Sequence, residues 1–196
     1  MTEEGKKLSL AERKKERKID YMLSVARHLF QRKGYDNTTV EELCDDAMIS
    51  RSTFFNYFGS KEQLIFLINE RQVQDLNVFV DELLEDESSE PLDIIRQYFN
   101  LIINSTINYS EITAVFYQLA MRNSEFSKLL KGYHAIEYKI IKNAVDKDLF
   151  KEEWTPELIE KIFHGCYIDI VTTVPTETAR AEFNQSLERA MAAILK

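Results

Sequence analysis

The chain has 196 residues, 44% hydrophobic and 30% charged, with a formal net charge of -8, which supports a packed globular core. Five Gly and three Pro are too few for a loop-rich or all-β fold, and no apolar run approaches the ~18 residues of a membrane span. The acidic average covers a basic end: residues 1–35 hold ten Lys and Arg against five Asp and Glu, and residues 64–196 hold thirteen against twenty-two.

Residues 1 to about 10 have no apolar periodicity and read as a tail. Their charges fall where a secretion signal needs an apolar centre, which points to a cytoplasmic protein. A first helix follows, with Ile19, Met22, Leu23, Ala26, Leu29 and Phe30 on one face and Gly34 placed for a left-handed cap. Basic residues from Arg13 to Lys18 crowd its start, against the helix dipole, so an external anion would relieve them. Thr38 and Thr39 each stand three residues before a glutamate, which predicts two overlapping capping boxes at a second, short helix. Ser50 caps a third helix that turns Phe54, Phe55 and Phe58 inward and ends at Gly59. Ser60 and Gln63 form a further capping box for a long helix over 60–84. Past the acidic loop 85–91, helices are expected near 92–108, 111–122, 125–150, 156–174 and 178–195. The fold class is all-α with about nine helices. Residues 1–62 form a tail and a three-helix helix-turn-helix domain, and 63–196 a larger helical domain.

Two short helices joined by a tight turn, the second polar on its outer face, match the unit that lays its second helix in the major groove. Arg51 has the donors for a guanine edge, Asn56 for adenine, and Thr53 for a base or a thymine methyl. Thr39, Tyr57 and Lys61 suit phosphates, and Ser50 and Ser52 complete the polar set. The stretch TTVEELCDDAMISRSTFFNYFGSKEQL resembles the DNA-binding signature of the tetracycline-repressor (TetR) family of bacterial regulators. The likeness covers about residues 15–68, including Phe30, Gly34-Tyr35, the aromatic cluster Phe54, Phe55, Tyr57, Phe58, and Ser60 to Leu64. Met48 departs from it, standing where the family usually has a turn glycine.

The resemblance implies a ligand-binding and dimerising domain from about residue 70, double-stranded DNA with a palindromic operator as partner, and release of a repressor by a small, largely apolar effector. Aromatic and polar-tipped residues suited to a cavity are Tyr98, Phe99, Tyr109, Phe116 and Tyr117, with Met121, His134, Tyr138, Phe163 and Tyr167. The same residues at helical spacing equally suit a core. For a homodimer interface, the broad apolar faces of the last two helices offer Ile159, Phe163 and Ile170, then Phe183, Leu187, Met191 and Ile194. Packing within one chain is the other use of those faces.

No catalytic constellation is legible. His28, His134 and His164 stand isolated, without HExxH, a nucleophile elbow or a phosphate-cradling glycine loop. Cys44 and Cys166 form no pair motif, and His164 and Cys166 point to different faces of one helix. Neither an enzyme, a cofactor nor a metal site is expected. The competing reading is a helical protein-interaction adaptor that does not bind DNA.

Overall fold

The computed structural model describes residues 9–196. All but the last two residues of the expected tail therefore lie outside the described residues; Ser9 and Leu10 cap and open the first helix. Among the described residues there are nine helices: α1 (Leu10–Lys33), α2 (Val40–Asp46), α3 (Arg51–Phe58), α4 (Lys61–Glu85), α5 (Pro91–Asn108), α6 (Ser110–Ala120), α7 (Ser124–Asp146), α8 (Pro156–Thr173) and α9 (Thr176–Ile194). The only β pairing among them is an isolated antiparallel bridge between Phe150 and Leu195. The chain divides into two compact units, Met1–Ile68 and Asn69–Lys196.

In the first unit, local signals fix the helix ends. Ser9 and Glu12 form a capping box at α1, with the Ser9 N–H donating to Glu12 at 2.7 Å. Gly34 ends α1 at φ 84, its N–H donating to the Phe30 carbonyl at 2.9 Å. Its ψ of 155 is extended, so the expected left-handed helical cap becomes a sharp exit into a loop. Of the two expected boxes at α2 only the one from Thr39 to Glu42 forms. Thr38 is buried, and its hydroxyl donates to the Gly34 carbonyl at 2.8 Å, so it holds the loop instead of the helix. Ser50 Oγ accepts the Thr53 N–H at 3.1 Å and starts α3. Phe54 and Phe58, four apart and one above the other, are buried. Phe55 lies a further 100° round the helix and is 45% exposed, which corrects the expectation that all three rings face inward. At α4 the Gln63 N–H bonds Ser60 Oγ at 3.1 Å, the forward half of the expected box. The core joins Leu23, Ala26, Leu29 and Phe30 of α1 to Leu43 and Cys44 of α2, the α3 rings, and Leu64, Ile65 and Ile68.

In the second unit, α5, α7, α8 and α9 pack around one core, and α6 lies against α7. Thr155 Oγ accepts from the Leu158 N–H and Pro156 occupies the first turn of α8. Helix α7 ends at Asp146 rather than near 150 because Asp148 takes a positive φ of 62 and turns the chain. The freed segment meets the end of α9: Lys151 N–H donates to the Ile194 carbonyl and Lys196 N–H to the Leu149 carbonyl, both at 3.1 Å.

The expected interface residues require correction. Ile159, Phe163, Ile170, Phe183, Leu187, Met191 and Ile194 are all buried in the protomer's own core. Their side chains already pack against one another within one chain, so they are not free to form an interface. The outward positions of α8 include Leu158, which is exposed, partly buried Ile162 and Cys166, and Gly165, where an added Cβ would have no neighbour within 4 Å.

Candidate functional site

The outer face of α3 carries the expected polar set. Arg51, Ser52, Asn56 and Tyr57 are exposed and Thr53 is half-buried, while Phe54 and Phe58 anchor the opposite face. Their rings pack at 5.5 Å, so the face is presented by a helix whose back is fixed. Ser50 Oγ lies 2.9 Å from Ser52 Oγ and 2.8 Å from Thr53 Oγ1, a hydroxyl cluster at the helix start. The Lys15 ammonium sits over the Tyr57 ring, 6.0 Å from its centroid, bringing a basic group of α1 to the same surface. Thr39 is exposed at the N-terminus of α2, where backbone N–H groups favour an anion.

The two cationic residues of the set are already engaged as well. Arg51 forms an exposed ion pair with Glu41, which it must leave to reach a base edge. Lys61 is not a free surface ammonium: Nζ donates to the Tyr35 carbonyl at 2.6 Å and the Thr38 carbonyl at 2.9 Å, and lies 4.1 Å from the Tyr35 ring centroid. With two of its three donors spent on the loop between α1 and α2, it supports the start of α2 and keeps one donor. Burial holds its pKa below the usual lysine range, with the Asp36 charge opposing.

In the second unit a small cavity of about 30 Å³ lies among α4, α5, α6, α7 and α8. Of the expected cavity residues, Phe116, Tyr117 and Tyr167 line it. Tyr98, Phe99 and Phe163 are core, and Tyr138 turns outward to Glu157. Met121 is 85% exposed just past the end of α6, and Tyr109 sits at the α5–α6 junction. The polar part of the lining was not foreseen. Tyr133 donates to Asn69 and Gln72 at 3.2 Å each, Thr106 lies 2.6 Å from the Tyr167 hydroxyl, and Glu137 and His164 close one end. Glu137, 2% exposed, carried a signal: it is an acid inside the apolar stripe of Ile136, Ile140 and Ile141.

The histidines expected to be isolated are not all so. His134 and His164 lie against each other with ring centroids 4.3 Å apart and ring planes tilted by 50°. His134 Nδ1 lies 2.6 Å from Glu160, and His164 Nδ1 3.0 Å from Glu137. Burial pushes the Glu137 carboxyl up, partly offset by the His164 hydrogen bond and the charges of both imidazoles. Burial opposes charge on His164, but the Glu137 hydrogen bond and the carboxylates outweigh it, so its pKa is raised.

Comparison with known proteins bears on the first unit most directly. Residues 22–68 match the family described as bacterial regulatory proteins, tetR family. The chain is 26% identical over 85 residues to the transcriptional repressor DhaR of Mycobacterium sp. strain GP1, covering 43% of each chain. It is 24% identical over 111 residues to the transcriptional regulator EthR of Mycolicibacterium smegmatis, covering 57% of this chain and 51% of that one. The matches thus span about half the length of these relatives. The fold is shared with SmeT, the repressor of the Stenotrophomonas maltophilia multidrug efflux pump SmeDEF, at a TM-score of 0.72 and 15% identity over 91% of this chain and 90% of that one.

Proposed function

We propose that this chain, whose residues 22–68 match the tetR family of bacterial regulatory proteins, belongs to that family and is a cytoplasmic, homodimeric repressor that binds a palindromic operator through residues 1–62 and is released by a small molecule bound within residues 63–196. The observation that carries the reading is the exposed polar face of α3, held by buried Phe54 and Phe58. In this reading Arg51 and Asn56 read base edges, Thr53 a base or methyl group, and Thr39, Ser50, Ser52 and Tyr57 position the backbone. Lys61 acts mainly by fixing the loop ahead of α2. Two copies are required because half-sites one helical turn apart need two recognition helices.

The effector binds at the cavity of the second unit. At about 30 Å³ that cavity has room for about two waters, so an effector enters only as the lining separates. Phe116, Tyr117 and Tyr133 give it an apolar wall, and the buried polar groups orient it. Helix α4 belongs in part to each unit and is the element through which the effector state reaches the recognition helices. Linkage then requires operator DNA to weaken effector binding by the factor by which effector weakens operator binding.

Selection of bound sequences from random DNA, followed by salt-titrated binding, tests this. A palindromic site is expected, with affinity falling as salt rises. Arg51→Ala is expected to cost about 1–3 kcal/mol of discrimination at one base pair per half-site. An adaptor would enrich no sequence and show no salt-dependent DNA binding.

A further inference from the structure

We propose that His134, Glu137, Glu160 and His164 form a binding site for a divalent first-row transition-metal ion where α7 meets α8. The inference goes beyond DNA recognition and stands whether or not the chain represses transcription. His134 and Glu137 are three apart on α7, and Glu160 and His164 four apart on α8, so each helix presents one imidazole and one carboxylate from a single face. The pairs cross between helices. His134 Nδ1 lies 2.6 Å from Glu160 Oε1 and 3.9 Å from Glu137 Oε2, and His164 Nδ1 lies 3.0 Å from Glu137 Oε2. One ligand atom from each of the four lies within 4.8 Å of all the others.

A tetrahedral ion with bonds of about 2.0–2.2 Å separates its ligand atoms by about 3.3–3.6 Å. The four groups reach that geometry by shifts on the order of 1 Å: the shortest contact opens and the longest closes. Two carboxylates with two neutral imidazoles carry two negative charges, which a divalent cation balances. The donor set of two nitrogens and two oxygens suits zinc, cobalt or a neighbouring ion, whereas magnesium and calcium prefer oxygen alone. The Tyr98 hydroxyl donates to Glu137 Oε1 at 3.4 Å, the outer support that orients a ligating carboxylate. Access is graded: the His134 side chain is 36% exposed, Glu160 and His164 are largely covered, and Glu137 at 3% is the deepest of the four.

The alternative is that the four residues only tie α7 to α8 by two ion pairs. Dialysis of the whole protein against chelator, then titration with Co²⁺ followed by visible absorption, separates the two. One Co²⁺ per chain with tetrahedral ligand-field bands is expected, displaced by Zn²⁺. Glu160→Gln and His134→Asn are expected to weaken binding at least about tenfold, with helicity by circular dichroism unchanged. His28→Asn is expected to bind like the parent. Absence of a one-to-one complex, full affinity in both ligand variants, or loss of binding in His28→Asn would overturn the site.

Discussion

The Lys61 ammonium donates to two carbonyls and faces the Tyr35 ring, so its removal is felt in the fold before it is felt at DNA. Lys61→Ala is expected to destabilise the first unit by about 1–3 kcal/mol, the range for hydrogen bonds to a charged group, toward the lower end at this half-exposed site. Its operator affinity falls on every sequence alike. An unchanged denaturation midpoint would return Lys61 to a purely phosphate-binding role. Glu42 offers a separate check. It accepts the Thr39 N–H at 3.0 Å and pairs with Lys33. The Lys33 hydrogen bond, then the Thr39 backbone bond, hold its carboxyl down to about 2. A depressed carboxylate stabilises the native state above its unfolded pKa near 4.5, and the contribution disappears as pH falls through about 2. NMR titration of the Glu42 side chain is expected to show its midpoint in that acid range; a midpoint near 4.5 would mean that cap and ion pair do not persist in solution. Thr39, Ser50 and the α3 polar face were readable because caps and turns are local chemistry. The Arg51–Glu41 pair and the inward Lys61 were not, since each depends on a neighbour brought close by folding.

At the scale of elements, the turn between α2 and α3 contains the most specific strain. Met48 has φ 52 and is 83% exposed, so it has the backbone of a glycine with little packing in return. Met48→Gly is expected to stabilise the first unit by about 1 kcal/mol, because a side chain in the left-handed region costs roughly that much. Differential scanning calorimetry measures it, and a lower melting temperature would mean that the methionine packs in solution. The departure at Met48 was legible in the sequence, and so were most helix boundaries, which carry caps or first-turn prolines. The end of α7 was not. Its apolar pattern continues to Phe150, but Asp148 turns the chain at a positive φ into the long-range pairing of Phe150 with Leu195, which periodicity does not show. Phe55 misled for a related reason: periodicity identifies an apolar residue on a short helix but not which of two adjacent rings points outward.

For the whole molecule, the broad apolar faces of α8 and α9 were legible, but their allocation between core and partner was not, because both uses bury the same residue types. In the structure the core role takes those residues, and the proposed dimer is left the outward side of α8. Leu187→Ala, inside the core, is expected to cost about 2–5 kcal/mol at every protein concentration. Gly165→Leu, on the outward side of α8 with open space above it, leaves the protomer folded and shifts the dimer toward monomer in analytical ultracentrifugation. An unaltered dimer would place the partner elsewhere. The cavity was legible only in its rings; its polar half comes from residues scattered over several helices. The cysteines add a practical consequence. Cys44 is buried in the first unit, Cys166 is partly exposed in the second, and burial raises both thiols above their ordinary range. The unaltered chain therefore carries a built-in clock for each half: alkylation of Cys166 times exposure of the outward side of α8, while Cys44 waits on transient opening of the helix-turn-helix, so its phase times that opening without any introduced label.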